Sequence, residues 1–406
     1  MFDVIRTLDP DNGLTRGWRM LPPSASDCPL WSVTIDIGGL RARGLTEPAD
    51  ALHAVGAYGL NRADTMIRAA GEAVERFALM PTDRGGPQAR VGTAVEIGAD
   101  GVDFAASSLG DPMAVEERLT WYQGTWLDSR APVWVPSGLV DYPVADPWFD
   151  PSPSGAAAGP DLDFALRGAL LELIERDAVL VSWAGEGPLQ AFDLEAELAV
   201  APATTNWQQL RRLCKLLAGQ GLTPRLVRIP VLAGLHCALS PVVDERGFAA
   251  VGVKAHEDLG RALLVALQES LQVRELLGQL PPSPAPTVVR DDLDRARWWS
   301  TDLAVAELER RLHDLPTSPP SAAEAQPWTV SELVRAMRAD SGRPAFVDLT
   351  DRLPEAHRAM GWRAVKVIAP GYQPLRMNEQ HRFGWLRDRI AATATSPDRY
   401  FPHPLI

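Results

Sequence analysis

The sequence predicts a mixed α/β (α+β) fold, and three observations predict it. Several short segments have the β-branched content, partial alternation and bounding turn residues of strands. Three longer segments have the 3.6-residue periodicity and end signals of helices. Proline, 35 of 406 residues, is clustered between them, and each Pro fixes its own φ and removes a backbone donor, which interrupts elements.

In chain order, LWSVTIDI (Leu30–Ile37) reads as a strand. A helix follows from about Ala63 to Met80, in which Ile67, Ala70, Val74 and Phe77 form an apolar stripe. Glu72 and Glu75 share another face, with Arg68 one turn before Glu72. The stretch PWFDPSPSGAAAGP (Pro147–Pro160) reads as a loop. A second helix runs from about Asp163 to Trp183 and is apolar around nearly its whole circumference, the pattern of a buried helix. Glu172 and Glu175 interrupt it. The segments PRLVRIPV, LHCALSPVV and GFAAVGV read as strands, the last two joined by a turn at Asp244–Gly247. His236 and Cys237, adjacent on a strand, point to opposite faces and read as packing residues. A third helix is capped by Asp258 and ends at Gly278. Its Leu263, Ala266, Leu267 and Ser270 point inward, while Glu269 and Gln272 share another face. Further Pro-rich excursions fall at Pro281–Pro286 and Pro316–Pro327. Near the end, RPAFVDLT, LPEAHRAMG and WRAVKVIAPG read strand, helix, strand, with Gly361 stopping the helix.

Composition bounds the function. The 52 acidic residues exceed the 40 basic ones, a net charge of −12, which argues against nucleic acid or an anionic membrane held by charge alone. Hydrophobic residues make up 46%, enough for a large core, so wholesale disorder is excluded. Cys28, Cys214 and Cys237 are too few and too scattered for a disulfide framework or a Cys-x-x-Cys zinc site. No signal-peptide core and no spanning-length apolar run is present, so the expectation is a soluble cytoplasmic protein. The length suits two or three domains. Lysine occurs only at Lys215, Lys254 and Lys366, which reads as coding bias rather than function.

The chemistry lies in the carboxylates. EAVER at Glu72–Arg76 and ELIER at Glu172–Arg176 are near-identical strings on two helices, and the third helix carries Glu269-x-x-Gln272. An i,i+3 spacing puts each pair on one face. A solvated face explains Glu72/Glu75 taken alone. On the second helix the pair is set among apolar residues, where like charges repel and lose hydration, so it must be protonated or find cations. Arg167 and Arg176 would make it a buried salt-bridge network; a hard divalent ion such as Mg2+ is the functional alternative. There is no phosphate loop, dinucleotide fingerprint, His-Glu-x-x-His or Gly-x-Ser-x-Gly. The seven His are dispersed.

These strings resemble the YcaO family. SGAAAGPDLDFALRGALLELIERDAVLVSW resembles the family's core signature and AAGEAVER its first glutamate helix. GVKAHEDLGRALLVALQESLQVR resembles its third conserved segment, and VDLT with VIAPGYQPL its closing strand–helix–strand and Pro-Gly turn. The resemblance implies one YcaO-type domain over 1–406, with 1–58 the less defined part, and sheets packed against glutamate-bearing helices around an ATP cleft. It assigns Mg2+ to Glu72, Glu75, Glu172 and Glu175. It assigns the nucleotide to Arg68, Glu72, Arg176, Glu269, Gln272 and Arg274. Two departures stand out. Arg68 occupies a position where the family usually has Ser, and the chain ends Pro402-His403-Pro404-Leu405-Ile406 instead of in the Pro-x-Pro-x-Pro tail of many azoline-forming members.

Family chemistry uses ATP to activate a peptide-bond oxygen, a very poor leaving group unless phosphorylated. In cyclodehydration a Cys, Ser or Thr side chain of a ribosomally made precursor adds to the preceding carbonyl. The oxyanion takes the γ-phosphoryl group, and phosphate then departs with the oxygen. The substrate supplies the nucleophile, so no catalytic Ser or Cys motif is needed. The resemblance implies an E1-like (ThiF-type) partner, and a homodimer is a family expectation. The alternatives are thioamide formation with a TfuA-like partner, and a non-catalytic scaffold subunit.

Overall fold

The computed structural model describes residues 3–24, 28–38, 54–82, 85–243, 247–281, 283–320, 326–392 and 401–406. It forms three sheets with helices between them, a mixed helix and sheet architecture as the sequence predicts. The first sheet is antiparallel in the order β1 (Gly17–Leu21), β2 (Trp31–Asp36), β3 (Ala54–Gly59). The second runs β4 (Ala89–Gly92), β5 (Leu119–Trp126), β13 (Ala345–Asp348), β14 (Arg363–Ile368), β7 (Ala156–Gly159), with β6 (Pro132–Pro136) also paired to β5. The third runs β11 (Ala249–His256), β10 (His236–Val243), β9 (Val227–Ile229), β8 (Gln190–Phe192), β12 (Thr317–Ser318).

Three long helices carry the glutamates. The first spans Arg62–Leu79, the second Leu162–Ala184 and the third Leu259–Gln279. Each begins at a side-chain cap that satisfies orphan first-turn amides: Asn61 accepts from Ala63 and Asp64, Asp161 from Phe164, and Asp258 from Arg261. No helix among the described residues is long and apolar enough to cross a membrane.

The first helix corrects the predicted stripe. Its buried face is Ala69, Ala70, Ala73 and Val74, while Ile67 is 49% exposed. The reason is the second sheet: its edge strand β7 is Ala-Ala-Ala-Gly, so small residues let helix and sheet approach closely, and Ile67 faces outward. The second helix is buried as expected, except that Phe164 lies exposed near its start.

Two Pro-rich segments read as loops contain strands. β7 lies within Pro147–Pro160, and β12 within Pro316–Pro327. Ser-Gly-Ala-Ala-Ala-Gly looked like a loop because it lacks β-branched residues. Gly155 there has φ +78°, and a Cβ on it would sit 2.3 Å from the Val367 carbonyl oxygen, so the chain turns tightly into the sheet. The β10–β11 hairpin forms with Cys237 opposite Ala255. The expected turn at Asp244–Gly247 lies mostly outside the described residues, as do 39–53 within the N-terminal part. Cys237 is fully buried and His236 half-buried, as alternation requires. The closing strand–helix–strand is β13, a short helix Glu355–Ala359 and β14, with Gly361 at φ +93°.

Candidate functional site

Two strands at sheet edges bring the glutamates together. Along β14, Ala364 and Ile368 join the core built on the first helix, and Val365 and Val367 join the core built on the second. The two helices therefore cover opposite faces of one sheet. Both also pack on β7, the edge strand of that sheet, and there Glu75 of the first helix comes within electrostatic range of Glu172 of the second. The other edge belongs to β11, whose outward amides have no strand partner. Ala255 N–H donates to Glu175 Oε2 at 2.7 Å, and Val253 N–H donates to Glu269 Oε2 at 3.3 Å. Glutamates from the second and third helices thus cap one strand edge, two residues apart.

Cations fill the spaces between these carboxylates. Arg76 Nε lies 3.0 Å from Glu72 and 3.7 Å from Glu75. Arg176 lies 3.4 Å from Glu172 and 3.6 Å from Glu175. Lys254, from β11, lies 3.2 Å from Glu175, which is only 1% exposed. Lys366, from β14, donates to the carbonyl oxygens of Ser152 and Ser154, and its charge acts on Glu172 and Glu75. The salt-bridge alternative read from the sequence is thus present in the structure, with Arg176 in it. Arg167 is elsewhere, held by Glu257 and the Trp328 carbonyl.

Protonation follows from crowding. Burial, with Glu72 and Glu172 adding like charge, pushes the Glu75 carboxyl well above its ordinary range against Arg76 and Lys366. Burial pushes Glu269 up to about 7, with Glu175 adding to the rise against Lys254 and Arg176. Burial works against the Lys254 and Arg176 charges, but Glu175 leads the carboxylates that outweigh it, and both pKa values rise. For Lys366 burial wins, and its pKa falls to about 8 despite Glu172 and Glu75.

This gives a pH prediction for the metal-free protein. In the folded chain Glu269 keeps its proton up to about 7, against 4.5 when unperturbed. The folded state then binds more protons across that window, so raising the pH through it lowers stability. Urea midpoints in EDTA between pH 4.5 and 7.5 should show this fall, and Glu269→Gln should flatten it. An unchanged slope in the variant would show that Glu269 titrates normally.

The remaining candidates are placed differently. Arg68 bonds Tyr58 O, Gln268 Oε1 at 3.4 Å and Asp64 at 3.1 Å, tying the first helix to β3 and the third helix. Gln272 is half-buried one turn beyond Glu269, on the same face. Arg274 lies 3.5 Å from Glu275 and is rotated well away from Glu269 by its i,i+5 spacing. Sequence reasoning missed Lys254 and Lys366: two of the chain's three lysines stand in this cluster, and their rarity was the available signal. It also missed Trp183, whose indole N–H donates to Phe401 O and Pro402 O. This brings residues 401–406 alongside the second helix. There burial, Arg295 and Arg176 hold the His403 pKa well below its usual value.

The donor chemistry fits a hard cation and a polyanion. The helices offer only carboxylate oxygens, the preference of Mg2+. The buried Nε of Arg176 has no hydrogen-bond partner among the described residues, a donor suited to a phosphate oxygen. Among the described residues, no three acidic, His or Cys side chains already stand in a metal-holding group, because the carboxylates lean on Arg and Lys instead. On the opposite face of the second helix lies a cavity of about 1210 Å3, whose walls include Ile174, Asp177, Val181, Leu232, Tyr372 and Trp385.

A family profile described as YcaO cyclodehydratase, ATP- and Mg2+-binding, matches residues 56–373. The chain belongs to the YcaO family. Solved YcaO-type structures share its fold. The YcaO protein from Methanopyrus kandleri bound with AMPPCP and Mg2+ aligns with TM-score 0.65 and 19% identity, over 94% of this chain and 93% of that one. A heterocyclase in complex with substrate and cofactor aligns with TM-score 0.70 and 17% identity, over 92% of this chain and 52% of that one. This YcaO protein thus spans about half the heterocyclase's length. The E. coli microcin synthetase McbBCD complex with pro-MccB17 bound contains a chain that aligns with TM-score 0.60 and 14% identity, over 92% and 95% of the two chains. No curated protein matches by sequence.

Proposed function

We propose that this YcaO protein is an ATP- and Mg2+-dependent enzyme that activates amide bonds in a ribosomally made precursor peptide, cyclodehydrating Cys, Ser or Thr to azolines. The observation that carries the reading is the convergence of Glu72, Glu75, Glu172, Glu175 and Glu269 from three helices onto two strand edges, with buried cations among them. The cyclodehydratase description of the family and the heterocyclase relatives support it.

In this reading Glu72, Glu75, Glu172 and Glu175 hold Mg2+, exchanging their Arg and Lys contacts for the metal. The metal supplies neutralisation of the triphosphate and of the charge that develops on phosphoryl transfer. Arg176, released from Glu172, offers Nε to a phosphate oxygen, and Lys254, 3.2 Å from Glu175, stands beside it. Gln272 completes that face. Arg68 and Arg274 remain in the assignment as residues of the surrounding wall. The cavity across the second helix has room for a peptide. An E1-like partner presents the precursor, and TfuA-like assistance belongs to the thioamide alternative.

Mass spectrometry of the precursor incubated with the protein, partner, ATP and Mg2+ tests the chemistry. Loss of one water per modified residue is expected. Exchange of oxygen for sulfur would replace cyclodehydration with thioamidation. Absence of Mg2+-dependent ADP release with peptide and partner present would leave only a scaffold role.

A further inference from the structure

Among the described residues, Lys366 is the cation of the cluster that closes no ion pair. It is 3% exposed, and its ammonium donates to two neutral groups, the Ser152 carbonyl at 2.6 Å and the Ser154 carbonyl. Both carbonyls lead into β7, and Lys366 stands opposite Ala156 of that strand. The ammonium is therefore fixed to the sheet itself. Arg76 and Arg176 differ, because each shares a helix with the carboxylates it pairs with. A buried charge with only neutral partners is costly, and here Glu172 and Glu75, from two different helices, offset part of that cost.

We propose that Lys366 is a positioning residue of the metal site. It is a frame-fixed counter-charge that holds Glu75 and Glu172 beside each other in the metal-free protein and weakens divalent-metal binding by repulsion. The inference rests on the Mg2+ role proposed for those two glutamates. Held by the Ser152 and Ser154 carbonyls, the ammonium is not displaced as a helical Arg can be, so it opposes the metal throughout the cycle and favours its release.

The test is the thermal midpoint of the full chain in EDTA and through a MgCl2 titration with saturating AMPPCP. Lys366→Met keeps the length and removes the charge. Its midpoint should fall in EDTA and recover largely with Mg2+, with the half-saturating Mg2+ concentration about tenfold below wild type. The double variant Glu172→Gln/Lys366→Met should regain the midpoint lost in EDTA, because the uncompensated pair is gone. It decides the matter if the single variant does not fold. Equal destabilisation with and without Mg2+, an unchanged half-saturating concentration, or no recovery in the double variant would overturn the proposal. Glu75→Gln separates the two failures. A full Mg2+ response in that variant removes the metal reading and this proposal with it. A lost response there, beside an unchanged Mg2+ response in Lys366→Met, overturns this proposal alone.

Discussion

Glu175→Gln lowers precursor-dependent ADP release roughly 100-fold or more, the scale of losing one preorganised charge contact, while the thermal midpoint moves by only a few degrees. The split follows from its contacts. The Gln carbonyl still accepts from Ala255 N–H and fills the same buried volume, so the β11 edge stays capped. The charge disappears. Arg176 retains Glu172, and Lys254 retains the field of Glu269 and Glu172, so neither cation is stranded. Glu175→Ala is expected to behave differently. It leaves the Ala255 amide unpaired at a buried edge and empties the volume of the side chain, a loss of about 2–5 kcal/mol. Comparing the two variants by calorimetry and ADP release separates catalysis from scaffold. If Glu175→Gln turns over ATP normally, the metal assignment of the second helix is wrong.

The largest stability effect is expected at Gly252. A Cβ there would lie 2.1 Å from the Ala266 carbonyl oxygen and 2.3 Å from the Ser270 amide nitrogen. These are backbone atoms of the third helix and cannot rotate away. Gly252→Ala must lift that helix from β11, at the upper end of overpacking costs, about 3 kcal/mol. The lift also pulls Glu269 from Val253 N–H. The denaturant midpoint should fall sharply, with ADP release impaired in whatever protein remains folded. A small change in midpoint would mean the helix sits farther from the strand than described.

Much of this was legible. The three glutamate helices and the cap at Asp258 follow from periodicity and end signals, and the structure brings Glu72, Glu75, Glu172, Glu175, Arg176 and Glu269 together. What escaped was small-residue chemistry. Ala156–Gly159 gives no β-propensity signal, because its purpose is to let helices approach from both faces, so β7 read as loop. Gly252 within a strand pattern was a close-approach signal that went unread. Ile67 was placed inward because it is the larger hydrophobe, although close packing selected the alanines. Arg68 matched by position, yet its guanidinium is held at Tyr58 and Gln268. The position carries no information about where a long side chain will turn.

The capping of β11 by Glu175 and Glu269 reaches beyond catalysis. A bare edge of unpaired amides invites another chain to add a strand, the first step of aggregation and domain swapping. Here the Glu175 and Glu269 carboxyl groups, proposed above for the metal and the nucleotide, also close that edge. Variation at these two positions therefore faces a double filter: a chain that abandoned the chemistry would still need some other group to keep β11 from recruiting a stranger.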